Sequence, residues 1–397
     1  VQDRKFLIVD MDAFFVSCEI AAFPELQGKP VAVCTGRQRG GVVASASYEA
    51  RKYGIKTGMP SYMAKKLCPD LIQIPADITK YAYISEEIMT FLRSLAPLVE
   101  VFSVDEAFLD VSSVEDAISF GRMIKKEIRK RFGISATVGI GPSRVVAKVA
   151  CEISKPDGLR EIKKSEIEQV IGSLEVEHIP GIGERNVEKL KSMGIRTVRD
   201  LLLYPEELLY RRFGVRGLWY KNLARGEDAG FFTLLENGLQ IKSIGHSETF
   251  PRDIFDIEDI KKYGLYLSEK VARRLRRKNL AAKGVSVYVR YFDFSGYSTS
   301  KTYSYPFHTS RDIYKRALSM ILGVNHSKPI RLIGISVFNL VPYIKQLSFY
   351  VEDEREELLA RVVDRINDRY GDFTVRRARL VSSIFKHNVI PPRGIPR

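Results

Sequence analysis

Hydrophobic positions in this chain alternate between short strand-like runs and amphipathic helical stretches, and their order predicts the elements. Residues 4–11, RKFLIVDM, read as a buried strand, and Asp12 is expected to cap a helix running through AFFVSCEIA. KPVAVCTG then gives a short strand, and GGVVASASYEARKYG a loop and a small-residue strand that runs into a helix. From about 98 the pattern is strand, strand, helix (115–132), strand (135–140, SATVGI) and helix (143–154). Together with the first strand this is a split βαβ, ferredoxin-like layout. Residues 164–228 read as helical, and 231–240, FFTLLENGLQ, as a linker. Strand, helix, strand, strand, helix, strand follow over 243–342, so the βαββαβ order occurs twice without sequence repetition. Beyond 344 come QLSFY, an amphipathic helix (353–370), a short strand in FTVRRARL and a polar end, PPRGIPR, expected to be disordered.

One stretch resists a purely structural account. In EVFSVDEAFLDVSS, residues 100–113, two adjacent carboxylates interrupt a run of strand formers. Strands over roughly 98–104 and 107–112, joined by a tight turn at Asp105-Glu106, would put both at one rim of a sheet. The strand ending at Asp10 can lie beside that hairpin, which brings three carboxylates to one edge. Such a trio repels itself unless a cation intervenes, and a Mg²⁺ pair about 3.5–4 Å apart is the usual solution in phosphoryl transfer. Asp10, Asp105 and Glu106 are the candidate ligands, with Met11 adding its backbone carbonyl and Mn²⁺ as a possible substitute metal. A helix starting after Asp12 would aim the amides of Ala13, Phe14 and Phe15 at a phosphate beside the metals. Phe14 is assigned to the core, whereas the Phe15 ring could clash with the 2′-hydroxyl of a bound sugar.

Charge narrows the substrate. The 397 residues carry 63 Lys+Arg against 48 Asp+Glu, a net charge of +15, with 45% hydrophobic content. That is enough for two to four cored domains and favours a polyanionic partner. Residues 241–343 alone hold 18 Lys/Arg against 8 Asp/Glu. Arg273, Arg274, Arg276, Arg277 and Lys278 cluster on one helix, where they suit a clamp on duplex DNA or a merely solvated face. In PGIG, residues 180–183, Gly181 and Gly183 would let backbone amides approach a DNA phosphate, unless the motif is a plain interhelical turn. The four cysteines form no CxxC pair and the histidines no zinc spacing, consistent with free thiols in a reducing cytoplasm. No apolar run approaches the roughly 18 residues of a membrane span.

VDMDAFFVSCE, ASASYEARKYGIKTGMP, FSVDEAFLDVS, SATVGIGPSRVVAKVACEISKPDG and IPGIGERNVEKLKSMGI, in this order and spacing, resemble the Y-family translesion DNA polymerases, in their bacterial DNA polymerase IV (DinB-type) branch. The resemblance spans roughly residues 5–343. It implies an α+β right hand: a ferredoxin-like palm (1–12 and 79–163), small fingers (13–78), a helix-hairpin-helix thumb (164–230), a linker (231–240), a βαββαβ little finger (241–343) and a C-terminal tail (344–397). It also implies that Asp10, Asp105 and Glu106 hold two Mg²⁺ ions, that Phe15 is the steric gate, and that Tyr48, Arg51 and Lys155 contact the incoming triphosphate. Ala44 and Ala46 would form a small roof over the nascent base pair. The expected enzyme is a monomeric, cytoplasmic, low-fidelity DNA polymerase acting on primer-template DNA and deoxynucleoside triphosphates, with no separate acidic cluster for proofreading. QLSFY resembles the sliding-clamp pentapeptide, so Gln346, Leu347, Phe349 and Tyr350 could dock on a clamp or simply continue the last strand. A nucleotidyl cyclase would share the palm, and a non-catalytic DNA-binding scaffold the basic domain. Neither accounts for both.

Overall fold

Strand β1 (Phe6–Met11) is buried at all six positions, because it lies between two antiparallel neighbours and both faces of its sheet are covered. Those neighbours are β6 (Glu106–Asp110) and β7 (Ala136–Gly141). β5 (Val99–Val101) and β8 (Leu159–Glu161) complete the order β5-β6-β1-β7-β8. Alternation along β1 divides its side chains. Leu7, Val9 and Met11 pack into a core with α1 (Phe14–Ala22), α4 (Ile78–Arg93) and α5 (Ala117–Phe132), while Phe6 and Ile8 face α6 (Arg144–Glu152) and the helices that follow. Gly139 on β7 permits that second packing. A Cβ there would stand 2.0 Å from the carbonyl oxygen of Ala147 and 2.4 Å from the amide nitrogen of Cys151.

The structure, a computed structural model, describes residues 4–36, 41–230, 232, 241–324, 327–344 and 351–381, with side chains in the last stretch from 355. The chain divides into two units, 1–239 and 240–397. In the first, the hairpin differs from expectation. The turn occupies 102–105, and Glu106 is the first residue of β6 rather than part of the turn. A small sheet of β3 (Val42–Ala46), β2 (Val31–Thr35) and β4 (Ile72–Pro75), in that order, closes over its own core of Ala32, Val43, Ala46, Ala50, Ile55 and Leu71. Five helices, α7 (Ile167–Gly172), α8 (Glu184–Ser192), α9 (Val198–Leu203), α10 (Glu206–Phe213) and α11 (Val215–Ala224), share the core of Phe6 and Ile8. Buried Arg144 fastens the segment that follows α11 to the sheet, with a bidentate pair to Glu100 at 2.7 and 2.8 Å and a 3.2 Å bond to Asp228.

The second unit has β9 (Ser243–Ile254), α12 (Ile257–Arg277), β10 (Leu280–Tyr291), β11 (Gly296–Phe307), α13 (Ser310–Leu322) and β12 (Ile330–Pro342). Its sheet order is β11-β10-β12-β9. The βαββαβ succession of the first unit is repeated, but the lateral order is not. In the first unit the opening strand is central; here it lies at the edge. The tail belongs to this unit. Helix α14 (Val351–Tyr370) is followed by a turn, and FTVRRARL ends in a short 3₁₀ helix, Ala378–Leu380, rather than a strand. Leu380 is fully buried in the unit's core and the Phe373 ring packs against Tyr266, centroids 4.9 Å apart and planes tilted by 32°, so these apolar residues dock the tail instead of pairing in a sheet. Among the described residues no helix is long and apolar enough to cross a membrane.

Candidate active site

Antiparallel pairing of β1 with β6 sets Asp10 directly opposite Glu106. Asp10 is only 3% exposed. Two lysines from the α6 segment face the pair. Lys148 Nζ donates to Glu106 Oε1 at 2.7 Å and stands 3.6 Å from Asp10 Oδ2, while Lys155 Nζ stands 2.8 Å from that same Oδ2 without hydrogen-bond alignment. Burial pushes the Glu106 carboxyl up to about 7, and Asp10 raises it further while Lys148 opposes. Burial works against the Lys155 ammonium, but Asp10 and Glu152 outweigh it and hold the group above its ordinary value. Asp10 Oδ2 and Glu106 Oε2 are buried oxygens with no hydrogen-bond partner. Anionic oxygens left in that condition suit a hard divalent cation.

Asp105 behaves differently. Its carboxylate accepts from the Ser103 hydroxyl at 2.5 Å, and its carbonyl accepts from the Met11 amide at 2.9 Å. The side chain is thus held within its own turn, and among the described residues no three His, Cys, Asp or Glu side chains converge as metal ligands. Of the expected trio, the structure brings together Asp10 and Glu106. Met11 sits at the buried end of β1.

Asp12 does not cap α1, which corrects the expectation. Ala13 is the N-cap, in the left-handed region at φ 45°, and no side chain caps the helix. The sharp turn rotates Asp12 inward. There its carboxylate accepts from Thr137 Oγ1 at 2.7 Å, the Asp157 amide at 3.0 Å and the Tyr48 hydroxyl at 3.4 Å. One buried side chain therefore ties together β7, the Lys155 loop and α2 (Tyr48–Arg51). The first-turn amides of α1, among them Phe14 and Phe15, are left without a side-chain acceptor, the usual condition of an anion site. Phe14 is in the core, whereas Phe15 is half-buried and stacks on Tyr81, ring centroids 4.5 Å apart.

Ser47 caps α2 by accepting from the Ala50 amide, and the helix places Arg51 on the same side as Tyr48, its guanidinium 4.7 Å over the ring. Arg51 Nε donates to the Ala46 carbonyl at 3.1 Å. Burial pushes the Tyr48 hydroxyl up to about 12, with Asp12 adding to the shift, so it remains a neutral donor. On β3, Ala46 is buried and Ala44 half-buried. Sequence reasoning missed Lys148 and the role of Asp12. Lys148 lies on α6, which ends at Glu152, and Lys155 in the loop beyond it, so no helical spacing in the sequence links the two.

Ahead of α8, Gly181 adopts φ 98°, a conformation that excludes most side chains, and Gly183 is the N-cap of α8 with no side-chain cap. The basic helix α12 departs from expectation. Arg273 pairs with Asp368 at 2.7 Å and with Asp372, Arg276 pairs with Asp364 at 2.6 Å, and Arg277 pairs with Asp368 at 2.5 Å. Arg274 donates to the Gly245 carbonyl at 2.7 Å, and Lys278 is exposed. Arg273, Arg276 and Arg277 are therefore countered by Asp364 and Asp368 of α14 and by Asp372, while Arg274 and Lys278 stay exposed. Gln346, Leu347, Phe349 and Tyr350 lie outside the described residues.

Residues 9–152 match the impB/mucB/samB family and residues 241–349 its C-terminal domain. The chain is 36% identical to a DNA polymerase IV of Desulfatibacillum aliphaticivorans, over 98% of this chain and 99% of that protein. To a DNA polymerase IV of Moorella thermoacetica it is 37% identical, over 95% and 96%. Among solved structures it resembles a Y-family DNA polymerase chimera of Dbh and Dpo4, with TM-score 0.76, 30% identity, and coverage of 85% of this chain and 99% of that one. An insertion ternary complex of Dbh DNA polymerase is similar at TM-score 0.62 and 30% identity, with the same coverage.

Proposed function

Because the chain belongs to the impB/mucB/samB family and is a DNA-directed DNA polymerase of the Y family, DinB type, we propose that its Asp10–Glu106 rim is the nucleotidyl-transfer centre of a template-directed translesion enzyme. The observation that carries this assignment is the pair of buried carboxylates set opposite each other on β1 and β6, each with an oxygen that accepts no hydrogen bond, countered by two lysines. Two Mg²⁺ ions held by Asp10, Glu106 and Asp105, with the Met11 carbonyl, would activate the primer 3′-hydroxyl and offset phosphate charge. Asp105 would join the set by releasing Ser103. Lys155, Arg51, the Tyr48 hydroxyl and the opening amides of α1 would bind the triphosphate, and the Phe15 ring would exclude the 2′-hydroxyl. Ala44 and Ala46 would leave room above the nascent pair for distorted templates. Gly181 and Gly183 would set thumb amides against a DNA phosphate. The Gln346–Tyr350 segment is proposed as a clamp-docking peptide, and the working form as a monomer.

Primer extension with Mg²⁺ and deoxynucleoside triphosphates tests the centre. Glu106→Ala and Asp10→Ala should lower the rate by about 10²–10³-fold or more while primed-DNA affinity stays within a few fold. Near-normal extension by Glu106→Ala would overturn the assignment.

A further inference from the structure

Behind Phe15 lies a buried polar network that the metal and triphosphate contacts do not use. Glu19, one helical turn beyond Phe15 on α1, is a carboxylate only 2% exposed. It accepts from the Tyr81 hydroxyl at 2.5 Å and from the Lys80 ammonium at 2.7 Å, both side chains belonging to α4. Tyr81 is itself 1% exposed, and its ring stacks against Phe15 at 4.5 Å with an interplanar angle of 15°. The contacts close a circuit. Phe15 connects to Glu19 through α1, Glu19 to Tyr81 through a hydrogen bond, and Tyr81 returns to Phe15 through the stacked rings. Burial and the bond to Glu19 hold the Tyr81 hydroxyl protonated, so it remains a donor.

We propose that Glu19, through Tyr81, is a positioning residue for sugar discrimination, fixing the plane and depth of the Phe15 ring. This inference rests on the reading of Phe15 as the sugar gate. A ring rejects an added hydroxyl only if it cannot yield when pressed, because specificity of this kind is a difference in energy between two nearly identical substrates. Phe15 is only half-buried, and one face of its ring is backed by Tyr81. Tyr81 cannot slide away without leaving the Glu19 carboxylate short of a donor in a buried site, a costly state that keeps the backing in register. Lys80 supplies the countercharge that makes a buried carboxylate at this position tolerable. A tyrosine held only by packing would support the ring less rigidly.

The test measures kcat/KM for ribonucleoside and deoxynucleoside triphosphates with Mg²⁺ in Glu19→Gln, Tyr81→Phe, Phe15→Ala and the double variant Tyr81→Phe/Phe15→Ala. Tyr81→Phe keeps the ring and its volume, so it carries the test even if Glu19→Gln folds poorly. Expected is a loss of about tenfold in deoxy-over-ribo preference for Tyr81→Phe and Glu19→Gln, arising mainly from faster ribonucleotide use. In the Phe15→Ala background Tyr81→Phe should change the preference no further, as required of residues acting through one group. An equal slowing with both sugars, or the same shift with and without Phe15, would overturn the positioning role. If Phe15→Ala leaves sugar preference unchanged, the gate reading itself fails, a result distinct from a normal gate with no contribution from Glu19.

Discussion

Glu106 is the residue whose environment has the clearest consequence in solution. Its carboxyl titrates near 4.5 in an unstructured chain and is pushed up to about 7 in the fold, by burial first and by Asp10 next. Between those values the native state binds the extra proton, so the contribution of Glu106 to stability is fullest in acid and declines as pH rises from about 4.5 to about 7. A divalent cation needs the deprotonated oxygen, so its stabilising effect should grow over the same interval. Melting in EDTA should therefore show a falling component across that window which Glu106→Gln lacks, and added Mg²⁺ should restore most stability at the alkaline end. Identical pH slopes in the two proteins would remove Glu106 as the source. Asp12 offers a second test at this scale. Asp12→Ala would leave the buried Thr137 hydroxyl and the Asp157 amide without their acceptor, a loss of about 1–3 kcal/mol. Because the same change frees the Lys155 loop, extension should fall more than primed-DNA affinity does.

Among the elements, α12 and α14 interact through ion pairs that are partly buried. Arg273 is 8% exposed and Arg276 lies beneath Asp364, so these guanidinium groups depend on the tail for their countercharge. Removing one partner of such a pair is more costly than the pair is worth, because the remaining charge is stranded. Asp364→Ala is expected to destabilise the second unit by about 3 kcal/mol, read as a lower denaturant midpoint. Arg273→Gln should likewise weaken the fold while leaving the salt dependence of DNA binding unchanged. A flattened salt dependence with normal stability would instead make Arg273 a phosphate contact. The same logic makes Arg144 a fastening between the sheet and the segment that follows α11, since both Glu100 and Asp228 converge on one buried side chain.

For the whole molecule, a net charge of +15 and contacts directed at phosphates predict DNA affinity that falls steeply with salt and varies little with sequence. The helical side of the second unit is occupied by the tail, and the open face of its sheet carries Ser247, Ser286, Tyr288 and Ser336, with Arg290 bonded to Tyr288. Arg290→Gln should lower the slope of log affinity against log salt by about one. Deleting 241–343 should flatten that slope much further, and an unchanged slope would place the charge contacts in the first unit.

Periodicity predicted most of the elements and their order, though not β4 or α4 and with a strand where FTVRRARL forms a 3₁₀ helix, and the motifs at Asp10, Tyr48, Glu106 and Gly181 stood out because each needs a particular residue type at a particular spacing. Side-chain periodicity reports which face of a strand is buried, not which strand lies beside it. Two identical βαββαβ successions therefore close with different lateral orders, one with its first strand central and one with it at the edge. A shift of one residue in the hairpin also separated neighbours that looked equivalent, leaving Asp105 in a turn with Ser103 and putting Glu106 in register with Asp10. The arginine row on α12 looked like a free surface because its acidic partners stand some 90 residues farther along. Partners so distant in the chain are chosen only when packing brings the elements together, and at that point burial decides which charges must be matched.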